Sequence, residues 1–169
     1  MGATRLLQSF DVTATSHLLA DYCARGGYAT LEKTLRERKP AEVTKVVTDS
    51  GLQGRGGAAF AVGRKWAVVK DDGQVHYLVA NADEGEPGTF KDRWILEHSP
   101  HQLLESMLIA SYALGVKNAF VYMRGEFDLP YRRLQGAIEE AYEAGYFGKA
   151  LFGTGFKCDI AIVRGGGAY

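Results

Sequence analysis

At 169 residues the chain is long enough for one domain that buries most of its apolar surface without disulfide or metal staples. Its 20 basic and 20 acidic residues cancel, which removes the basis for a broad attraction to DNA, RNA or anionic lipid; any anion must be held locally. Cys23 and Cys158 are far apart, with no C-x-x-C spacing and no histidine cluster, so neither zinc nor a cysteine-ligated iron–sulfur centre is encoded.

Residues 1–50 read as an arm followed by short helices. Residues 1–27 are weakly patterned and contain Gly26-Gly27, which suits an arm packing on a partner or on the domain surface. Leu31 and Leu35, four apart among charges, predict a helix over Tyr28 to Arg38. Pro40 then sits at the first helical position of a second helix carrying Val43, Val46 and Val47 to a stop at Gly51.

Residues 51–169 carry the main α/β domain. Gly54, Gly56, Gly57 and Gly63 crowd around Arg55, Arg64 and Lys65, so that bare backbone N–H groups and fixed cations can approach one anion together. Gly54-x-Gly56-x-x-Ala59 fits the dinucleotide fingerprint formally, but a helix rather than a strand precedes it. Walker A chemistry is disfavoured, because Gly63 is followed by Arg64-Lys65-Trp66 with no hydroxyl for magnesium. The competing reading is a steric one, a tight connection between helices; the planar donor fork of Arg55 and the ammonium of Lys65 favour phosphate and ring-carbonyl contacts instead. Ala58 to Val69 predicts a helix anchored by Phe60, Trp66 and Val69 despite Gly63.

Val75 to Ala80 reads as a buried strand, and Asn81, Asp83, Glu84 and Glu86 follow it, where ligands of open α/β sheets bind. Such a run can be a solvated turn. It also suits a planar heterocycle or ribose, since Asn offers donor and acceptor while carboxylates accept from hydroxyls or ring N–H. Pro87-Gly88 pins the turn, and His76, His98 and His101 are assigned structural roles rather than metal ligation.

Ser99-Pro100 opens a helix that ends near Gly115; its apolar run Leu103 to Leu114 is broken by Glu105 and Ser106 and is too short to span a bilayer. With no apolar signal core at the N-terminus, a reduced, cytoplasmic domain without direct membrane insertion is expected. Strands follow at Ala119 to Met123 and Asp159 to Val163, with a helix from Asp128 to Ala144 stopped by Gly145 between them. Tyr77, Phe120 and Tyr122 are expected in the sheet core. Strands alternating with helices at intervals of roughly 40 residues predict βαβ crossovers and a Rossmann-like parallel sheet with flanking helices. The final Arg164-Gly165-Gly166-Gly167-Ala168-Tyr169 reads as a loop leaving the third strand.

Several motifs occur together: S-G-L-Q-G-R-G-G-A-A-F from Ser50, G-R-K-W from Gly63, N-A-D-E-G-E-P-G-T-F-K-D-R from Asn81, R-G-E-F from Arg124 and G-T-G-F from Gly153. Over about Tyr22 to Tyr169 the chain resembles the flavin-bearing, NADH-oxidising subunit of respiratory complex I and its relatives in soluble NAD-reducing hydrogenases and formate dehydrogenases. The resemblance implies noncovalent FMN, NADH delivering hydride to it, and electrons leaving singly through an iron–sulfur cluster that the full family subunit carries and this chain does not ligate. It implies that Gly54, Arg55, Gly56, Gly57 and Lys65 lie along the FMN and nucleotide, that Asn81, Asp83 and Glu84 contact flavin, and that Glu86 lies near the nicotinamide. Phe60 would stack on adenine, and Tyr169 would open the next flavin segment. No general acid or base is required, because hydride passes directly to flavin. The implied partners are other NADH dehydrogenase subunits, above all an iron–sulfur subunit, with a quinone acceptor reached through them and a peripheral place at the inner membrane face.

Two departures accompany the resemblance. Ala59 stands where the family has glycine, and Val62 where it has threonine. The family also continues with a C-G-E-E-T-A-L segment, a ubiquitin-like domain and a cluster-binding helical domain, so the chain reads as the first part of such a subunit. A split product that binds FMN weakly is one expectation. A non-catalytic relative that binds a partner or nucleotide is the other.

Overall fold

The computed structural model describes residues 9–69 and 72–167. In chain order the elements are α1 (Leu19–Ala24), α2 (Ala29–Glu37), α3 (Pro40–Asp49), α4 (Val62–Ala67), β1 (Tyr77–Ala82), α5 (Lys91–His98), α6 (Pro100–Leu114), β2 (Asn118–Met123), α7 (Asp128–Glu143), a 3₁₀ turn (Leu151–Gly153) and β3 (Asp159–Arg164). The sheet is parallel in the order β1-β2-β3, with Val79 beside Phe120 and Phe120 beside Ala161. The expected Rossmann-like α/β architecture is what the chain forms.

Proline and glycine set the helix limits. Pro40 and Pro100 occupy first-turn positions, where a missing N–H costs nothing. The Glu42 carboxylate accepts the Lys39 N–H at 2.6 Å and closes the start of α3. Gly115 takes a left-handed φ of 68°, which lets Val116 N–H return to the Ser111 carbonyl at 2.8 Å and end α6. Ser99 does not cap α6 through its side chain; its hydroxyl donates to Gln102 instead.

Both crossovers run in one direction across the sheet, so α5, α6 and α7 gather on one face. There Ala82, Val121, Met123 and Ile160 share a core with Leu96, Leu104, Leu108, Leu134 and Ile138. The other face is open, which corrects the expectation of strands buried on both sides: Tyr77 is 61% exposed, Val79 57% and Tyr122 36%, and Phe120 is half-buried. These side chains alternate with the buried ones, as strand geometry requires. β1 also starts two residues later than expected.

The N-terminal region packs on the domain surface, and α1 lies within a stretch that has no clear periodicity. Glu105 of α6 is the anchor: it accepts Tyr22 Oη–H at 2.5 Å and the Tyr28 N–H at 2.9 Å on Oε2, and the Leu31 N–H at 3.0 Å on Oε1. His101 is buried between Tyr28 Oη, 3.0 Å from Nδ1, and Glu140 Oε2, 3.0 Å from Nε2. Glu140 Oε2 also accepts the Leu19 N–H at 2.9 Å. Burial pushes the Tyr22 and Tyr28 hydroxyls well above the ordinary tyrosine range and pulls His101 down, so His101 is held neutral with a structural task.

Candidate functional site

The glycine segment is a tight excursion between α3 and α4. Gly54 N–H donates to the Phe60 carbonyl at 2.9 Å and Val62 N–H to that of Leu52 at 2.8 Å, joining the two arms through a single antiparallel bridge between Gln53 and Ala61. Arg55 to Ala59 form the tip. Gly57 and Ala59 turn it with φ of 111° and 50°, and this prevents the helix expected from Ala58: α4 starts only at Val62. Phe60 and Val69 are consequently exposed rather than anchoring, at 55% and 39%. Trp66 is half-buried.

Two kinds of glycine are mixed here. A Cβ on Gly63 would meet Thr48 Cα at 2.4 Å, so Gly63 serves the close packing of α4 on α3. Around Gly56 and Gly57 there is open space. Among the described residues, no backbone N–H from Arg55 to Ala59 finds an acceptor, and neither Arg55 nor Lys65 forms an ion pair. Five amides and the Arg55 guanidinium thus share an exposed loop, and Lys65 follows it in α4, a donor set suited to phosphate.

The acidic segment leaves the C-terminal end of β1. Asn81 Oδ1 accepts the Asp83 N–H at 2.9 Å, which turns the chain and leaves the Asn81 amide group as donor. Asn81 lies on the open face in register with Tyr122 and Val163. Asp83 is half-buried and Glu86 exposed, and neither carboxylate has a hydrogen-bond partner among the described residues. Glu84 differs: it is buried, and its oxygens accept the amides of Asp92 at 2.9 Å and Arg93 at 3.1 Å at the start of α5. The helix dipole reinforces that contact. Its carboxylate therefore serves α5, and only its backbone faces the loop.

No described hydrogen bond joins residues 54–65 to residues 81–86. A cavity beside the end of β1, lined by Asn81, Asp92, Ile95 and Leu103, holds about 80 Å³. That is well below the roughly 300 Å³ at which small-molecule sites begin. A nucleotide here would lie on the open loop surface. Tyr169 lies outside the described residues.

The R-G-E-F motif gains a task only in the fold. Arg124 begins the loop after β2, and its Nη1 donates to the Glu84 carbonyl at 2.8 Å. Only the folded register of β1 against β2 brings these two residues together. Among the described residues no group of three His, Cys, Asp or Glu is placed to hold a metal ion, and no helix is long and apolar enough to cross a membrane.

Residues 47–169 match the family described as the Nuo51 FMN-binding domain. The chain is 50% identical over 165 residues to the F-type subunit numbered 2 of the NADH-quinone oxidoreductase of Rhizobium meliloti (strain 1021), covering 97% of this chain and 39% of that protein. It is 46% identical over 153 residues to the corresponding F-type subunit of Aquifex aeolicus (strain VF5), covering 90% of this chain and 36% of the relative. Among solved structures, an NAD+-reducing [NiFe]-hydrogenase in the H2-reduced state is similar with a TM-score of 0.72 and 32% identity, over 89% of this chain and 26% of that one. The chain thus spans less than two fifths of the length of these relatives.

Proposed function

The chain belongs to the Nuo51 FMN-binding domain family, and from that premise we propose that it is the FMN- and NADH-binding part of an NADH-quinone oxidoreductase. The observation that carries the reading is the exposed loop Arg55 to Ala59, whose backbone amides have no acceptor among the described residues and whose Arg55 forms no ion pair there. In this reading Arg55, Gly56, Gly57 and Lys65 hold the phosphate, Gly54 lines the nucleotide at the base of their loop with its N–H kept on the Phe60 carbonyl, and Asn81 and Asp83 meet the polar edge of the ring or the ribityl hydroxyls. Glu84 contributes through its backbone. Glu86 flanks the nicotinamide, Phe60 offers an exposed ring to adenine, and Tyr169 opens the next flavin segment.

Bound FMN would supply the chemistry that accepts hydride from NADH and releases electrons one at a time. The protein's own part is orientation and charge. Asn81 donates and accepts in one plane, Arg55 and Lys65 neutralise phosphate, and no side chain need carry a proton.

Two features support a shared site for both segments. α2 runs beside α6 in the same sense, with the Leu31 N–H on Glu105 and the Arg38 carbonyl accepting from Tyr112 Oη at 2.7 Å. After the short turn at Arg38 and Lys39, α3 also packs on α6, the helix that follows the acidic segment and α5, and it leads directly into the glycine loop. The partners proposed are further subunits of an oxidoreductase complex, an iron–sulfur protein first among them, at the cytoplasmic face of a membrane. The relatives' names do not favour the non-catalytic reading.

Titration of the purified chain with FMN, followed by flavin fluorescence, tests the proposal. Saturable binding that weakens by about tenfold or more in Arg55→Ala or Lys65→Ala supports it, as expected for loss of one charge-assisted contact. Absence of saturable binding, or binding indifferent to both substitutions, refutes it.

A further inference from the structure

Three loops leave the C-terminal ends of β1, β2 and β3, and two arginines tie them in series. The Arg124 N–H donates to the Ala82 carbonyl at 3.2 Å, Nη1 to the Glu84 carbonyl at 2.8 Å, and Nε to Glu126 Oε2 at 3.3 Å. From β3, the Arg164 guanidinium donates to the Gly125 carbonyl and, at 3.2 Å, to Asp128 Oδ1. Gly165 N–H returns to the Met123 carbonyl at 2.8 Å. The second and third loops touch backbone to backbone: a Cβ on Gly125 would stand 2.5 Å from the Gly165 carbonyl oxygen.

We propose that Arg124 is a positioning residue of the flavin site, setting the place of Asp83 and Glu86 by holding the Glu84 carbonyl between them; the inference rests on the flavin reading above. Glu84 is fixed at both ends. Its carboxylate is drawn to Asp92 and Arg93, and its carbonyl is drawn to Arg124. Asp83 and Glu86 have no side-chain partner among the described residues, so their placement depends on the backbone that Glu84 anchors. A planar guanidinium holds the carbonyl and Glu126 at once in a fixed fork, which a lysine ammonium cannot reproduce. Arg164 extends the same restraint to the third loop, so a ligand ordering any of the three would meet all of them as one unit.

The test compares the wild-type chain with Arg124→Ala and Arg124→Lys by FMN titration and by amide hydrogen exchange without ligand. The expected result is an FMN Kd raised about tenfold or more in Arg124→Ala and by less in Arg124→Lys. Exchange should quicken at Gly85, whose N–H donates to the Asp83 carbonyl at 3.0 Å, while Val121 in β2 keeps its protection. If Arg124→Ala does not fold, Arg124→Lys carries the same comparison. Equal FMN affinity in wild type and both variants overturns the inference alone. Loss of affinity only in step with lost protection across the whole sheet also overturns it, since that marks a merely structural role. A wild-type chain that binds no FMN overturns the flavin reading, and this inference with it.

Discussion

Glu84 reaches eight residues along the chain to take the Asp92 N–H on Oε1 at 2.9 Å, so a carboxylate in the middle of the acidic loop closes the start of a helix. Glu84 and its neighbour Asp83 consequently divide two tasks that their sequence positions leave mixed.

Glu84→Ala is expected to destabilise the fold by about 1 to 2 kcal/mol, as loss of an N-terminal cap does. Asp83→Asn, which removes no described side-chain hydrogen bond, should leave stability within about 0.5 kcal/mol while weakening FMN binding. Denaturant unfolding of the two variants beside an FMN titration separates the tasks. Equal stability loss in both would show that the division is wrong.

The acid limb of stability should report His101. Burial holds its pKa below the ordinary 6.5, against the opposing pull of Glu140. The unfolded chain therefore takes up protons first, and stability that is fully present above pH 6.5 is lost as pH falls from there toward the folded-state value. Tyr22 stacks on the ring, Tyr28 and Glu140 bond to it, and His17, also lowered by burial and by Arg133, lies near Glu140. Unfolding measured against pH should lose part of its slope below pH 6.5 in His101→Gln, with His17→Gln as the separate control. An unchanged slope in His101→Gln would show that the ring does not govern this limb.

Ala59 occupies a left-handed backbone conformation, φ 50°, at the tip of the glycine loop. A non-glycine residue there costs roughly 1 to 2 kcal/mol, partly offset because glycine frees the unfolded chain. Ala59→Gly should thus raise stability by up to about 1 kcal/mol and leave or improve FMN affinity. Thermal unfolding decides it, and a clear loss of stability would contradict the strain.

Much of the fold is legible because punctuation is local. Pro40, Pro100, Gly115 and Gly145 act on their own turn, so α3, α6 and α7 can be read from the residues that bound them. The three strands are short β-branched and aromatic runs, equally readable. The open sheet face is not: Tyr77, Val79, Phe120 and Tyr122 are as apolar as core residues, and only the common direction of both crossovers leaves them uncovered. Ala58 to Val69 misleads because its composition favours helix while Gly57 and Ala59 turn the backbone out of it. α1 escapes notice because its anchor is Glu105, more than eighty residues away from Tyr22. The candidate loops can be found by composition, whereas the tasks of Glu84 and Arg124 depend on partners brought together by register and by α5.

The claim on which the rest depends is that residues 54–65 and 81–86 meet one ligand. Residue-resolved NMR of the labelled chain during an FMN titration tests it most directly. Amides from Gly54 to Ala59 and from Asn81 to Glu86 should shift together along one saturation curve with a single Kd. Shifts confined to one segment, or two curves with different midpoints, would contradict a shared site.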